Sequence, residues 1–338
     1  MKGKWVRREK PGRNEGRDDT VCPSKIESQN GTHVSEFHLL GLSEDPDLQP
    51  CLFGLFLSMY LITVFGNLVI ILAICSDPHL HTPMYFFLSI LSFVDICFIS
   101  TTVPNLVVNI WLHSWVITHA GCLTQMSIYI LFATMDDMLL TVMAYDRFVA
   151  ICHPLHYAVL MSPRLCRFLV CTCLSVSIVN SQLHTLFVLQ FTNFQEVQVA
   201  NFFCDPSHVV NLVCSNTFSK DMVKYFAVGI FGFFPVVAIT LSYYKIIASI
   251  LKIASSSGRY KAFSTCGSHL SAVSLFYGTS IGVYLGSGIT ESPRKVVVAS
   301  VVYTVINPML NPFIYSLRNR DMKQVFNRIH RRKFFFRT

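Results

Sequence analysis

Long apolar stretches separated by short polar breaks recur along this chain, and that pattern governs how every other residue is read. A bilayer core needs about 20 consecutive apolar residues per helix. Seven stretches reach that length: residues 51–75, 84–108, 122–148, 165–189, 222–251, 263–285 and 296–317. The pattern predicts an all-α membrane protein, a seven-transmembrane helix bundle over residues 51–317, with a polar, disordered tail at 1–50 and a basic tail at 318–338. With 52% hydrophobic and only 14% charged residues, the 338-residue chain does not have the composition of an ordinary soluble enzyme.

Lysine and arginine near span ends set orientation. The breaks after spans three and five hold Arg164, Lys252, Arg259 and Lys261, and the last tail holds Arg318, Arg320, Lys323, Arg328, Arg331, Arg332, Lys333 and Arg337. These faces are cytoplasmic by that rule. Acidic Glu36, Glu44, Asp45 and Asp47 precede span one, so the N-terminus is extracellular and the C-terminus cytoplasmic. The opening residues lack the apolar centre of a cleavable signal peptide, and the first span is expected to direct insertion itself. "NGT" makes Asn30 a glycosylation acceptor on the outer tail. The net charge of +8 is divided between the two tails, which favours attraction to anionic membrane lipid over nucleic acid.

Of the twelve cysteines, most lie inside spans, where they act as small apolar residues. Cys122 opens span three on the outer face, and Cys204 and Cys214 lie in the long outer segment "FTNFQEVQVANFFCDPSHVVNLVCSNT". The outer face is oxidising, so a bridge from Cys122 to one of the two is expected.

Ionisable groups inside spans cost about 2.5–3.5 kcal/mol each and ask for a reason. Asp95, Asp136, Asp137 and His269 are of this kind. Asp95 and Asp136 can share a sodium ion or a proton, or be satisfied by nearby Ser, Asn or water. Pro235, Pro308 and Pro312 fall within spans five and seven, where a missing N–H bends a helix and frees a carbonyl. "GTSIG" fits a nucleophile pattern but lies mid-helix, where the required strand–turn–helix elbow is absent. "CHPLH" and "TCGSH" lack a complete four-ligand metal spacing. No catalytic residue and no cofactor is expected. A channel or transporter using Asp95 and Asp136 is the alternative, although the two halves show no internal repeat of the kind common in transporters.

Gly66 and Asn67, Asp95, Cys122, the "DRF" of Asp146 to Phe148, Pro235 and the "NPFIY" of Asn311 to Tyr315 stand in the order found in rhodopsin-like G-protein-coupled receptors. "LHTPMYFFLSILSFVDI", "MAYDRFVAICHPLHY", "SYYKIIASIL", "KAFSTCGSHL" and "PMLNPFIYSLRN" resemble, more narrowly, the olfactory receptor family. The resemblance implies a plasma-membrane receptor for small odorants, acting through a stimulatory G protein that raises cyclic AMP. It implies that Asp146 holds Arg147 at rest, that Arg147, Tyr243 and Tyr315 form the G-protein switch, and that Cys122 bridges Cys204, leaving Cys214 free. It implies a ligand cavity lined by Tyr129, Ile130, Ala133, Thr134, Ala227, Phe231, Tyr277, Ile281 and Tyr284. With no carboxylate at Tyr129, such a cavity suits apolar molecules carrying one or two hydrogen-bonding groups. Phe148 stands where the family usually has tyrosine, a change expected to alter coupling.

Overall fold

Each apolar stretch becomes a helical rod in the computed structural model, which describes residues 36–43, 45–190, 198–212, 222, 225, 228–289, 293–318 and 322–325. These residues fall within one compact unit, His33–Thr338. The first four rods are α1 (Gln49–Ser76), α2 (Pro83–Leu112), α3 (His119–Cys152) and α4 (Pro163–Leu189). Their starts carry ordinary helix signals. Thr118 Oγ1 accepts from the Gly121 N–H at 3.1 Å, and Ser162 Oγ accepts from Leu165 at 3.4 Å, with Pro163 opening the helix.

The fifth rod, α5 (Phe234–Leu251), is entered through a π-helical turn, Val228–Phe233. Pro235 therefore sits in the first turn of α5, where its missing N–H breaks no bond, and the irregularity lies just upstream instead of at a mid-span kink. The sixth rod is α6 (Ser256–Ile289). The seventh, α7, joins Pro293–Val301, a π-helical Val302–Ile306 and Asn307–Arg318. Six of the seven rods are long and apolar enough to cross a membrane by hydropathy. The remaining one, α6, is 34 residues long and completes the seven-helix bundle.

In α1 the buried residues Phe56, Thr63, Asn67, Ile70 and Ile74 recur at the spacing of one helix face. The opposite face is equally apolar: Phe65 is 70% exposed, beside Leu61 and Leu72. Such a surface suits lipid, since water would not tolerate it over this length. In α3, by contrast, the successive residues Thr134, Met135, Asp136 and Asp137 are all buried and the helix packs against α2, α4, α5 and α6, which places it at the centre.

Pro312, inside α7, shows how a span absorbs proline. Pro312 cannot donate to the carbonyl of Pro308, four residues back. Asn67 Nδ2 takes that place, donating to the Pro308 oxygen at 3.3 Å and to the Thr63 oxygen at 3.1 Å. Gly66 permits the approach, because a Cβ there would meet Pro312 Cβ at 3.1 Å. The adjacent Gly66 and Asn67 are thus two halves of one device.

At the outer end, part of the segment expected to be a disordered tail is ordered. Glu36–Leu39 forms β1, which pairs antiparallel with β2 (Val116–Thr118) and parallel with β3 (Gln198–Val199), giving the order β2-β1-β3. Phe37 and Leu39 alternate inward, and Phe37 is fully buried. The buried apolar residues form two clusters: an outer one around Phe37, Phe98, Tyr129 and Phe203, and an inner one around Leu139, Tyr243, Ile246 and Tyr315.

Candidate functional site

Beneath the sheet, aromatic rings run from the outer end into the bundle. Phe203 packs on Tyr129 with centroids 5.0 Å apart, Tyr129 on Phe98 at 5.1 Å, and Phe98 on Tyr303 at 5.8 Å. Tyr303 then meets Phe276 at 5.6 Å, and Phe276 meets Tyr277 at 5.2 Å. Tyr277 is half-buried and donates its hydroxyl to Asp137 Oδ1 on α3. Tyr129 and Ile130 are buried in the outer cluster, with Ala133 against it. Thr134 is buried beside them, and its Oγ1 accepts from Asn180 Nδ2 of α4 at 2.8 Å.

The outer segment is fastened at several points. Cys122 and Cys204 form a disulfide with Cα atoms 5.4 Å apart. Gln125 accepts from the Cys204 N–H at 3.0 Å and donates to the Thr101 carbonyl at 2.9 Å. Asn201 Nδ2 donates to Ser300 Oγ at 2.9 Å, tying the same segment to α7.

Mid-bundle, Asn311 Nδ2 spans the two oxygens of Asp95 at 3.1 and 3.0 Å. Asp136 is 3% exposed, and its buried Oδ1 has no hydrogen-bond partner. Asp95 and Asp136 lie close enough to interact electrostatically.

Toward the cytoplasm, His269 bridges three helices. Its Nδ1 lies 2.7 Å from the Tyr243 hydroxyl and its Nε2 3.1 Å from the Leu140 carbonyl. A carbonyl can only accept, so Nε2 carries the proton and Nδ1 accepts from tyrosine: a neutral imidazole satisfied at both ends. Arg147 is 6% exposed and its Nε has no partner, and neither does the hydroxyl of Tyr315. The Arg147 charge is near enough to act on Tyr243, His269 and Tyr315.

Asp146 and Arg147 make no direct salt bridge, although the guanidinium is near enough to act on the carboxylate. Adjacent residues on a helix do not face one another, and Asp146 Oδ1 instead accepts the Tyr157 hydroxyl at 2.7 Å. Burial, followed by the Asp146 charge, pushes the Tyr157 phenol above its ordinary value, so it stays a donor. Among the described residues no carboxylate lies within ion-pair distance of Arg147.

The sequence profile described as "Olfactory receptor" matches residues 56–333. Olfactory receptor 7E24 of Homo sapiens is 63% identical over 311 residues, 92% of each chain. Olfactory receptor 7E178 of Mus musculus is 61% identical over 317 residues, covering 94% of this chain and 96% of the relative. Olfactory receptor 7D4 of Homo sapiens is 56% identical over 304 residues, 90% and 97% of the two.

The chain belongs to the olfactory receptor family.

This olfactory receptor is accordingly a multi-pass protein of the plasma membrane. The family is one of receptors, not enzymes, and the channel reading is not favoured. Of the residues that the resemblance assigned to a ligand cavity, Tyr129, Ile130 and Ala133 meet in the outer cluster and Tyr277 packs on the inner one. Phe231 is half-buried in the π-helical turn before α5. Ala227, the side chains of Ile281 and Tyr284, Asn30 and Cys214 lie outside the described residues. A recess of about 650 Å³ lies elsewhere: it opens between α5 and α6 in the inner half, beside Tyr243, Ile250, Cys266 and Leu270. Two contacts escaped the sequence reading. Tyr157 belongs to the quoted "HPLHY" but carried no sign of its partner, and Tyr277 meets Asp137 across 140 positions.

Proposed function

We propose that the receptor binds a small, volatile, weakly polar odorant within the helix bundle and activates a heterotrimeric olfactory-type stimulatory G protein, raising cyclic AMP. The observation that carries the signalling half is Arg147, a buried guanidinium at the inner end of α3 with an unpartnered Nε. A buried donor left unpaired costs about 1–3 kcal/mol, so an incoming partner with acceptors, such as the carbonyls at a helix C-terminus, has something to bind. Tyr243 and Tyr315, close to the same charge, complete the switch. The odorant contacts are Tyr129, Ile130, Ala133, Thr134, Ala227, Phe231, Tyr277, Ile281 and Tyr284, as the family resemblance implies.

The same proposal places residues 1–50 outside, with Asn30 glycosylated and Cys214 unpaired, and the basic tail 318–338 at the cytoplasmic lipid surface. A sodium ion held between Asp95 and Asp136 would use hard carboxylate oxygens and engage the unpartnered Asp136 Oδ1. Agonist potency that does not move when sodium is replaced by choline rules that ion out. The test of the whole is odorant-evoked cyclic AMP in cells with and without the stimulatory G protein. Arg147→Ala is expected to abolish the response at unchanged surface expression and odorant binding. A current or flux that persists without G protein would instead favour a channel.

A further inference from the structure

Asp137 is the intramembrane acid that the odorant and switch assignments leave unused. It is 5% exposed, its Oδ1 accepts the Tyr277 hydroxyl, and its Oδ2 is buried without a partner. The neighbouring hydroxyl of Thr141 lies 3.1 Å from the Asp137 backbone carbonyl and also within hydrogen-bond reach of the Tyr277 oxygen, where it can occupy one of the two lone pairs. Tyr277 itself is half-buried at the inner end of the ring series that starts under the outer sheet.

A phenol has one O–H to donate and two lone pairs to accept with. Asp137, as a carboxylate, can only accept, and its Oδ1 takes that donor. What Tyr277 can still offer a ligand is an oxygen lone pair. Donation to a carboxyl also polarises the phenol, which strengthens it as an acceptor. We propose that Asp137 is a positioning residue that makes Tyr277 an acceptor-only contact, so that the receptor prefers odorants bearing a hydrogen-bond donor, alcohols and phenols, over carbonyl compounds of the same skeleton. This rests on the reading of Tyr277 as an odorant contact.

The probes are straight-chain primary alcohols of about six to ten carbons, each paired with its aldehyde, a size range suited to small apolar pockets. The readout is the ratio of half-maximal concentrations, aldehyde over alcohol, for cyclic AMP at matched surface expression. The receptor is expected to favour the alcohol about fivefold, the worth of one net hydrogen bond. Asp137→Leu frees the Tyr277 donor and brings the ratio to about one or below. Asp137→Asn keeps an acceptor oxygen and retains the preference, and Tyr277→Phe abolishes it. A ratio that Asp137→Leu leaves unchanged, in cells that respond through G protein, overturns this inference alone. No cyclic AMP response to any member of the series overturns the proposed odorant response and this inference together. Thermal unfolding of purified receptor gives a ligand-free check: the midpoint shifts of Asp137→Leu and Tyr277→Phe should not add in the double variant. Additive shifts mean that the bond is not made, and the inference falls.

Discussion

The two ends of the bundle fasten their segments differently. At the outer end Gln125 is bonded at both its oxygen and its nitrogen, Asn201 likewise, and a disulfide and a three-stranded sheet fasten three segments together. At the inner end Arg147 Nε and the Tyr315 hydroxyl have no partner, and a recess of about 650 Å³ opens between α5 and α6 beside the Tyr243–His269 contact. Satisfied networks fix one arrangement. Unsatisfied groups beside a poorly filled space leave room for a second arrangement, which is what a switch requires. One end is built to hold shape and the other to change it.

Three substitutions test that contrast, in order of expected effect. Cys122→Ser opens a disulfide that closes 82 residues of chain, removing about 4 kcal/mol. Surface expression by flow cytometry should collapse, and full surface expression would mean that the outer end does not depend on its covalent tie. Phe37→Ala empties a fully buried site under the sheet at a cost of about 3 kcal/mol. Its thermal midpoint in detergent should drop while the maximal signal per surface receptor stays unchanged; a change in signalling with no loss of stability would put the switch at the wrong end. Tyr157→Phe is the mildest. It leaves the Asp146 carboxylate to the nearby Arg147 charge alone, and the loss of one hydrogen bond, about 1 kcal/mol, should lower ligand-free cyclic AMP roughly fivefold. Basal signalling that rises instead would mean that the bond to Tyr157 restrains the active arrangement.

Much of the bundle was legible because hydrophobic length is a local property. The fourth stretch, read as 165–189, is the helix Pro163–Leu189, and the first, read as 51–75, is Gln49–Ser76. The seventh was less so: the sequence marks prolines but not the π-helical Val302–Ile306, which depends on packing. The outer sheet escaped entirely. Its strands hold four, three and two residues, too short for alternation to declare itself, and their pairing joins positions far apart. At the site, residue types were readable and partners were not. Asp146 and Arg147 look like a pair because they are adjacent, yet adjacency on a helix turns them apart and a tyrosine 11 positions on takes the carboxylate. Cys122 was matched to Cys204 through the family resemblance, since the residues alone allowed Cys214 as well.

The place of β1 has a consequence for biosynthesis. It is translated ahead of every span, but its parallel partner, β3, begins about 160 residues later, after α4. At about 5–20 residues per second, the first strand waits roughly ten to thirty seconds for the last. During that interval Phe37 and Leu39 have no buried seat, and the strand has an unpaired edge open to lumenal chaperones. Export to the cell surface should therefore be gated late, when the third outer segment arrives and closes the sheet, and not when the first helix enters the membrane.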